Sequence, residues 1–194
     1  MPDLRQRLLD ALTRTGSASS DFDLNKGIMP AQLSRTSAAV LIAVRPVLET
    51  VILTKRSARL KHHPGQIAFP GGKKDPTDAT LIDAALREAH EEIGLPAACV
   101  DVLGVLPTHQ TVTGYEMTPI LAILTADYDP IPEAGEVSEV FEVPLAHLIK
   151  PENYRIEGRH WRGQRREYYT VPYGPYYIWG ATARILRELA ETMR

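Results

Sequence analysis

The stretch LREAHEEIG, Leu86 to Gly94, decides how the rest of the chain is read. Its apolar residues recur at helical spacing, and Gly94 stands where such a helix would stop. Within it, Glu88, Glu91 and Glu92 lie three and four residues apart or adjacent. Carboxylates three or four apart on a helix repel by roughly 0.2–0.5 kcal/mol per pair. They also crowd the C-terminal turns, where the helix dipole favours cations. Local rules broken together mark a functional site, and this one calls for a compensating positive charge.

On a wheel of about 100° per residue with Ile82 at the origin, Ile82, Ala85, Leu86, Ala89 and Ile93 form the expected buried stripe. The three glutamates share one arc beside it, Glu88 and Glu92 one turn apart. A solvated face is the bland alternative, but such faces usually mix signs. Here the only nearby cation is Arg87, one turn before Glu91. A bound divalent ion converts the repulsion into attraction, and oxygen-only donors select a hard ion, Mg²⁺ or Mn²⁺. The helix is expected to run from about Asp78 to Ile93. Just upstream, Gly71 and Gly72 let the backbone approach a ligand closely. Alone, that pair is only a turn; before an acidic helix it becomes a candidate phosphate-and-metal cradle.

The bulk of the chain sets bounds. Its 194 residues suffice for one domain with a real core. A net charge of −2 with 24% charged residues excludes a polycation built for nucleic acid. The longest apolar run, Ala38 to Val44, is too short to span a bilayer. No signal-peptide core precedes Ser37, and Asp3 and Asp10 oppose a transit peptide, so a cytoplasmic location is expected. Cys99 is the single cysteine; it excludes an internal disulfide and reads as a small core residue.

Periodicity gives the elements. Leu4, Leu8, Leu9 and Leu12 predict an N-terminal helix docked on the domain, and TGSASSDFDLNKG after it reads as a linker. Residues 1–36 are thus a helix and linker, and 37–194 the main domain. Strands are predicted at AAVLIAV, TVILTKR, CVDVLGVLP, MTPILAIL and VFEVPL. A hairpin over residues 154–171 turns at Gly163, and a last helix covers WGATARILRELAETM. Strands interleaved with helices imply a mixed α/β sandwich.

The stretch GGKKDPTDATLIDAALREAHEEIGL resembles the Nudix box: G, five residues, E, seven residues, then R-E-U-x-E-E-x-G-U, with U aliphatic. Arg87, Glu88, Ala89, Glu91, Glu92, Gly94 and Leu95 match its second half. The first half departs. The expected glycine falls on Lys73 and the expected glutamate on Ala79, and one inserted residue restores Gly72 and puts Asp78 at the acidic position. The resemblance implies an α/β/α sandwich that hydrolyses nucleoside diphosphates linked to another group. It also implies Glu88 and Glu92 as principal metal ligands, Glu91 in or near the same shell, and Arg87 orienting these carboxylates.

Upstream, Lys55, Arg56, Arg59, Lys61, His62 and His63 gather within ILTKRSARLKHHPGQIAFPGG. Singly each reads as a loop residue; together they suit a substrate with several phosphates. The stretch is similar to the signature of the coenzyme A pyrophosphatase branch of that family: L-L-T-x-R-S, three residues, R, three residues, G, three residues, F-P-G-G. Ile52 replaces its first leucine, and Lys61 its second arginine, keeping the charge but losing the bidentate fork. The branch implies substrate contacts from Arg56, Arg59, Lys61, Gly71 and Gly72, and cleavage of coenzyme A or acyl-CoA to 3′,5′-ADP and (acyl-)4′-phosphopantetheine. The alternatives are another nucleoside diphosphate derivative, such as ADP-ribose or NADH, or a domain that senses a nucleotide without cleaving it. In a second acidic region, Asp127 to Glu142, the family resemblance implies a loop carboxylate near the metal site, Glu136 before Glu139, and either Glu88 or Glu136 is the candidate general base. Arg155, Arg159, Arg162, Arg165 and Arg166 crowd the hairpin as a second phosphate contact or a solvated edge. The expected partners are a small-molecule substrate and at most a second copy in a homodimer, with neither nucleic acid nor membrane.

Overall fold

The computed structural model describes residues 3–14, 16–26, 35–161 and 163–194; Arg162 of the hairpin lies outside them. Four helices are described, α1 (Leu4–Thr13), α2 (Leu81–Ile93), α3 (Leu145–Leu148) and α4 (Gly180–Thr192). The strands up to α2 are β1 (Ser19–Ser20), β2 (Thr36–Arg45), β3 (Thr50–Arg56), β4 (Ile67–Ala68) and β5 (Gly71–Lys73). Those after it are β6 (Val100–Val105), β7 (His109–Gln110), β8 (Tyr115–Leu124), β9 (Val137–Pro144), β10 (Arg155–Trp161) and β11 (Gln164–Thr170).

The long pair β2 and β8 runs parallel from Thr36 opposite Tyr115 to Val44 opposite Ile123, and forms the spine of a mixed sheet. β3 and β5 pair antiparallel with β2, β6 and β7 with β8, and β9 with β3. Because side chains alternate along a strand, β2 feeds two cores. Ala39, Leu41 and Ala43 meet Ala84, Ala85, Ala89 and Ile93 of α2 on one face. Val40, Ile42 and Val44 meet α1 and α4 on the other. The expected α/β/α sandwich is the observed one, with β10 and β11 forming a separate antiparallel hairpin. No helix among the described residues is long and apolar enough to cross a membrane.

Three local readings change. Helix α2 begins at Leu81, because Thr80 and Asp83 close a capping box there, and Asp78 lies in the preceding turn. The buried face of α2 is turned about 60° toward the glutamates, since Ala84 and Glu92 are buried while Ile82 and Leu86 are only partly so. The supposed linker is ordered at Ser19–Ser20, which pairs parallel with β7. Ser19 Oγ lies 2.9 Å from Nδ1 of the fully buried His109, and Asp21 Oδ1 lies 3.1 Å from its Nε2, so one imidazole clamps the segment. Helix α1 buries Leu4, Leu8 and Ala11 in the core it shares with α4.

Candidate active site

The junction of β5 and α2 gathers the glutamates. At Gly71, φ is +149° and an added Cβ would stand 2.3 Å from the Ala39 carbonyl oxygen, so only glycine lets β5 lie against β2. The Gly71 N–H donates to Glu92 Oε2 at 3.0 Å. An added Cβ at Gly72 would stand 2.5 Å from the Glu88 carboxylate. The two glycines therefore make room for β2 and for Glu88, and the Gly71 amide, expected to face a ligand, is engaged by Glu92.

Glu92 is 4% exposed, and its Oε1 has the Arg56 guanidinium at 3.9 Å. Burial raises its pKa to about 7; the Gly71 hydrogen bond and Arg56 oppose this, while Glu88 and Glu136 add to it. Glu88 is also shifted upward, first by burial and then by Glu91 and Glu136, against the pull of Arg87. Two carboxylates held against burial and mutual repulsion are a donor set that a hard cation would relieve. Among the described residues, no three His, Cys, Asp or Glu side chains close on one point as a finished ligand set. The fit therefore rests on oxygen donors from Glu88 and Glu92, with substrate oxygens and water completing the sphere.

Arg87 holds this face in place. Its Nε and Nη2 meet Asp78 Oδ1 and Oδ2, both at 3.0 Å. Nη2 also lies 3.1 Å from Glu88 Oε1 and donates to the Lys73 carbonyl at 3.1 Å. Nη1 donates to Glu91 Oε2 at 2.9 Å. The Arg87 hydrogen bonds hold the buried Asp78 below the usual carboxylate range, assisted by the Asp75 N–H. Glu91 is turned outward to Arg87 with more than half of its side chain exposed. Asp78 is the residue whose role the sequence left open; it sits nine positions from Arg87, and only the turn before α2 brings them together.

The acidic segment after β8 docks on the end of α2. The Ile131 and Glu133 amides donate to the Ile93 and Glu92 carbonyls at 3.0 and 2.9 Å, satisfying acceptors that a helix end leaves open. The Ser57 N–H donates to the Glu136 carbonyl at 2.7 Å, joining this segment to the basic loop. Glu136 is exposed and near enough to raise both Glu88 and Glu92. Glu139 instead accepts from the Tyr176 hydroxyl at 2.5 Å. Of the three basic loop residues expected to contact substrate, Arg56 reaches Glu92, whereas Arg59 and Lys61 stand exposed on the loop.

The family model described as the NUDIX domain matches residues 34–162. The chain is 46% identical over 165 residues to the "Uncharacterized Nudix hydrolase NudL" of Cronobacter sakazakii, covering 82% of this chain and 86% of that protein. The protein of the same name from Escherichia coli O1:K1 / APEC is 45% identical over 159 residues, covering 81% and 83%. Among solved structures, the MutT protein from Methanosarcina mazei Go1 superposes with a TM-score of 0.50 at 21% identity, covering 62% of this chain and 84% of that one.

Two outcomes follow from this geometry. Because the folded pKa of Glu92 is raised, its contribution to metal-free stability is full below the ordinary value of 4.5 and is lost as the pH rises through about 7. At about 1.4 kcal/mol per pKa unit, the loss amounts to roughly 3 kcal/mol. Urea unfolding in EDTA between pH 5 and 8 should show this decline, and Glu92→Gln should flatten it. Gly72→Ala should displace the Glu88 carboxylate and weaken Mn²⁺ binding by at least about tenfold, read by calorimetry, as losses of supporting contacts at metal sites do.

Proposed function

The chain belongs to the Nudix family of hydrolases, and from that premise we propose that it cleaves the diphosphate bond of coenzyme A or its thioesters. The observation that carries this reading is the contact of Arg56, from the coenzyme A-type basic stretch, with Glu92 at 3.9 Å. It sets the sequence feature that speaks for the substrate beside the one that speaks for the chemistry. Residues 37–194 would form the hydrolase domain, with residues 1–36 attached to it.

In this reading Glu88 and Glu92 hold Mg²⁺ or Mn²⁺, which when bound neutralises diphosphate oxygens and acidifies a water. Glu91, turned to Arg87, acts at the edge of that shell. Arg87 positions Glu88 by an ion pair while Asp78 fixes Arg87 from behind. Arg56 faces the diphosphate, and Arg59 and Lys61 face the 3′-phosphate. Gly72 keeps the Glu88 carboxylate free to project, and Gly71 aims Glu92 through its amide. A carboxylate that binds a metal gives up basicity, so we assign the proton to the exposed Glu136. The water oxygen bonds to phosphorus and its proton passes to Glu136. The bridging P–O bond breaks, and its electron pair leaves with the departing phosphate. The products are 3′,5′-ADP and 4′-phosphopantetheine, or the acylated form.

A substrate panel with products identified by mass tests the assignment. Coenzyme A should be split with Mg²⁺ or Mn²⁺, and EDTA should abolish the reaction. Much faster cleavage of ADP-ribose or NADH would move the substrate elsewhere in the family, and no cleavage of any of them would favour a sensing domain. Glu92→Gln should lower kcat by at least about 100-fold, the scale of losing a charge stabiliser of the transition state. Arg59→Ala and Lys61→Ala should raise KM for coenzyme A while leaving dephospho-coenzyme A nearly unchanged, since a remote contact binds ground and transition states alike.

A further inference from the structure

Beyond the glutamates, a cavity of about 240 Å³ opens between residues 20–25, the β10–β11 hairpin and the start of α4. A second recess shares His63, Arg159 and Trp179 with it and continues along Pro64, Gly65 and Gln66. The basic loop therefore runs from the glutamate site to the cavity. Arg56 touches Glu92, and its N–H and carbonyl bind the Gln66 carbonyl and the Gly65 N–H at 2.9 and 3.1 Å, folding the loop back on itself. His63, at the cavity end of this loop, has a left-handed backbone with φ of +54°, a strained conformation of the kind that collects at ligand sites.

Much of the cavity wall lies outside residues 34–162, which match the family model: Asp21 and Leu24 before them, Tyr168 and Trp179 after them. The wall is fastened from within. Asn25 and Glu167 exchange two hydrogen bonds, from Asn25 Nδ2 to the Glu167 carbonyl at 2.8 Å and from the Glu167 N–H to Asn25 Oδ1 at 2.9 Å. Asp21 accepts from the Val112 N–H at 2.9 Å and faces His109. The Glu167 carboxylate is paired with Arg165 at 3.8 Å, and the lining beside Trp179 is aromatic and cationic. Tyr168 meets the Trp179 ring edge-on at 5.1 Å, and the Arg159 guanidinium lies 5.4 Å from the centre of that ring. Among the described residues, Arg159 makes no ion pair with a carboxylate.

Resting on the nucleotide-diphosphate reading above, we propose that this cavity takes the adenine ring of the substrate, against Trp179 and Arg159. A purine offers the flat π face that an indole and a guanidinium bind best, whereas the pantetheine arm and an acyl chain offer none. The ribose carries both the base and the 3′-phosphate on one small ring. A base in this cavity therefore leaves that phosphate beside the basic loop.

The test uses the full-length protein carrying Trp161→Phe, so that Trp179 is the only tryptophan. Titration with 3′,5′-ADP should quench its fluorescence, and 4′-phosphopantetheine should not. Arg159→Ala should weaken 3′,5′-ADP by about tenfold, as loss of a stacking partner does, and raise KM for coenzyme A while kcat stays within about threefold. Arg159→Lys should fall between, since it keeps the charge without the plane. Quenching by phosphopantetheine with none by 3′,5′-ADP would overturn the proposal. So would Arg159→Ala and Trp179→Leu that both fold and bind every adenine nucleotide as before. If coenzyme A is not cleaved at all, the same titration with AMP and ADP-ribose separates the claims. Adenine-dependent quenching then keeps the cavity and removes the coenzyme A reading, and absence of quenching removes the cavity.

Discussion

The carboxylate of Glu92, buried between α2 and β5 and held by the Gly71 amide, is the constraint on which this site is built. A buried carboxylate without a partner would be expelled or neutralised. It stays because a backbone N–H is aimed at it and because Arg56 stands nearby. Both conditions require β5 to lie close to β2, which only a glycine at position 71 permits. The close approach of two strands and the placement of one buried carboxylate are therefore a single structural fact. Burial still outweighs the amide and Arg56 and leaves the Glu92 pKa raised to about 7.

Around that point the structure spends polar groups on orientation. Arg87 reaches Asp78, Glu88 and Glu91 together, so the charge that a solvated helix face would waste becomes a brace. The segment carrying Glu136 is positioned by a different force, the open carbonyls at the end of α2, which take its amides. Helix termination thus serves site assembly. Gly94, at φ +70°, ends α2 and leaves the Ile93 and Glu92 carbonyls for the Ile131 and Glu133 amides. The same segment then accepts the Ser57 N–H through Glu136, so the acidic and basic loops meet over the glutamates.

The elements outside the family match are not appendages. Helix α1 and helix α4 fill one face of the sheet together, and the short strand at Ser19–Ser20 extends its edge through the His109 clamp. These additions also wall the cavity next to the basic loop. A hydrolytic core that places glutamates says little about which nucleotide it serves; under the proposal above, the walls added beside it carry that choice.

Much was legible in the sequence for a definite physical reason: its signals are local. The strands β2, β3, β8 and β9 follow from period and β-branched content, and α2 from its apolar spacing and Gly94. The glutamate cluster declared itself because it violates helix rules within seven residues, from Glu88 to Gly94. What the sequence could not decide was everything that depends on two distant segments meeting. One miss was local: the sequence reading places the start of α2 three residues early, although the Thr80–Asp83 capping box that fixes it is a signal between residues three apart. The sequence could not turn α2 so that Glu92 faces the sheet, because the wheel weighs hydrophobicity and not the amide waiting at Gly71. Residues 19–25 read as a linker because their partners, His109 and Glu167, lie about 90 and 142 positions away. The cavity beside His63 joins segments from the two ends of the chain, and no periodicity records such a meeting. The sequence by itself determined the elements and the charges they carry; the tertiary structure decided which of those charges are buried, because burial depends on what packs opposite.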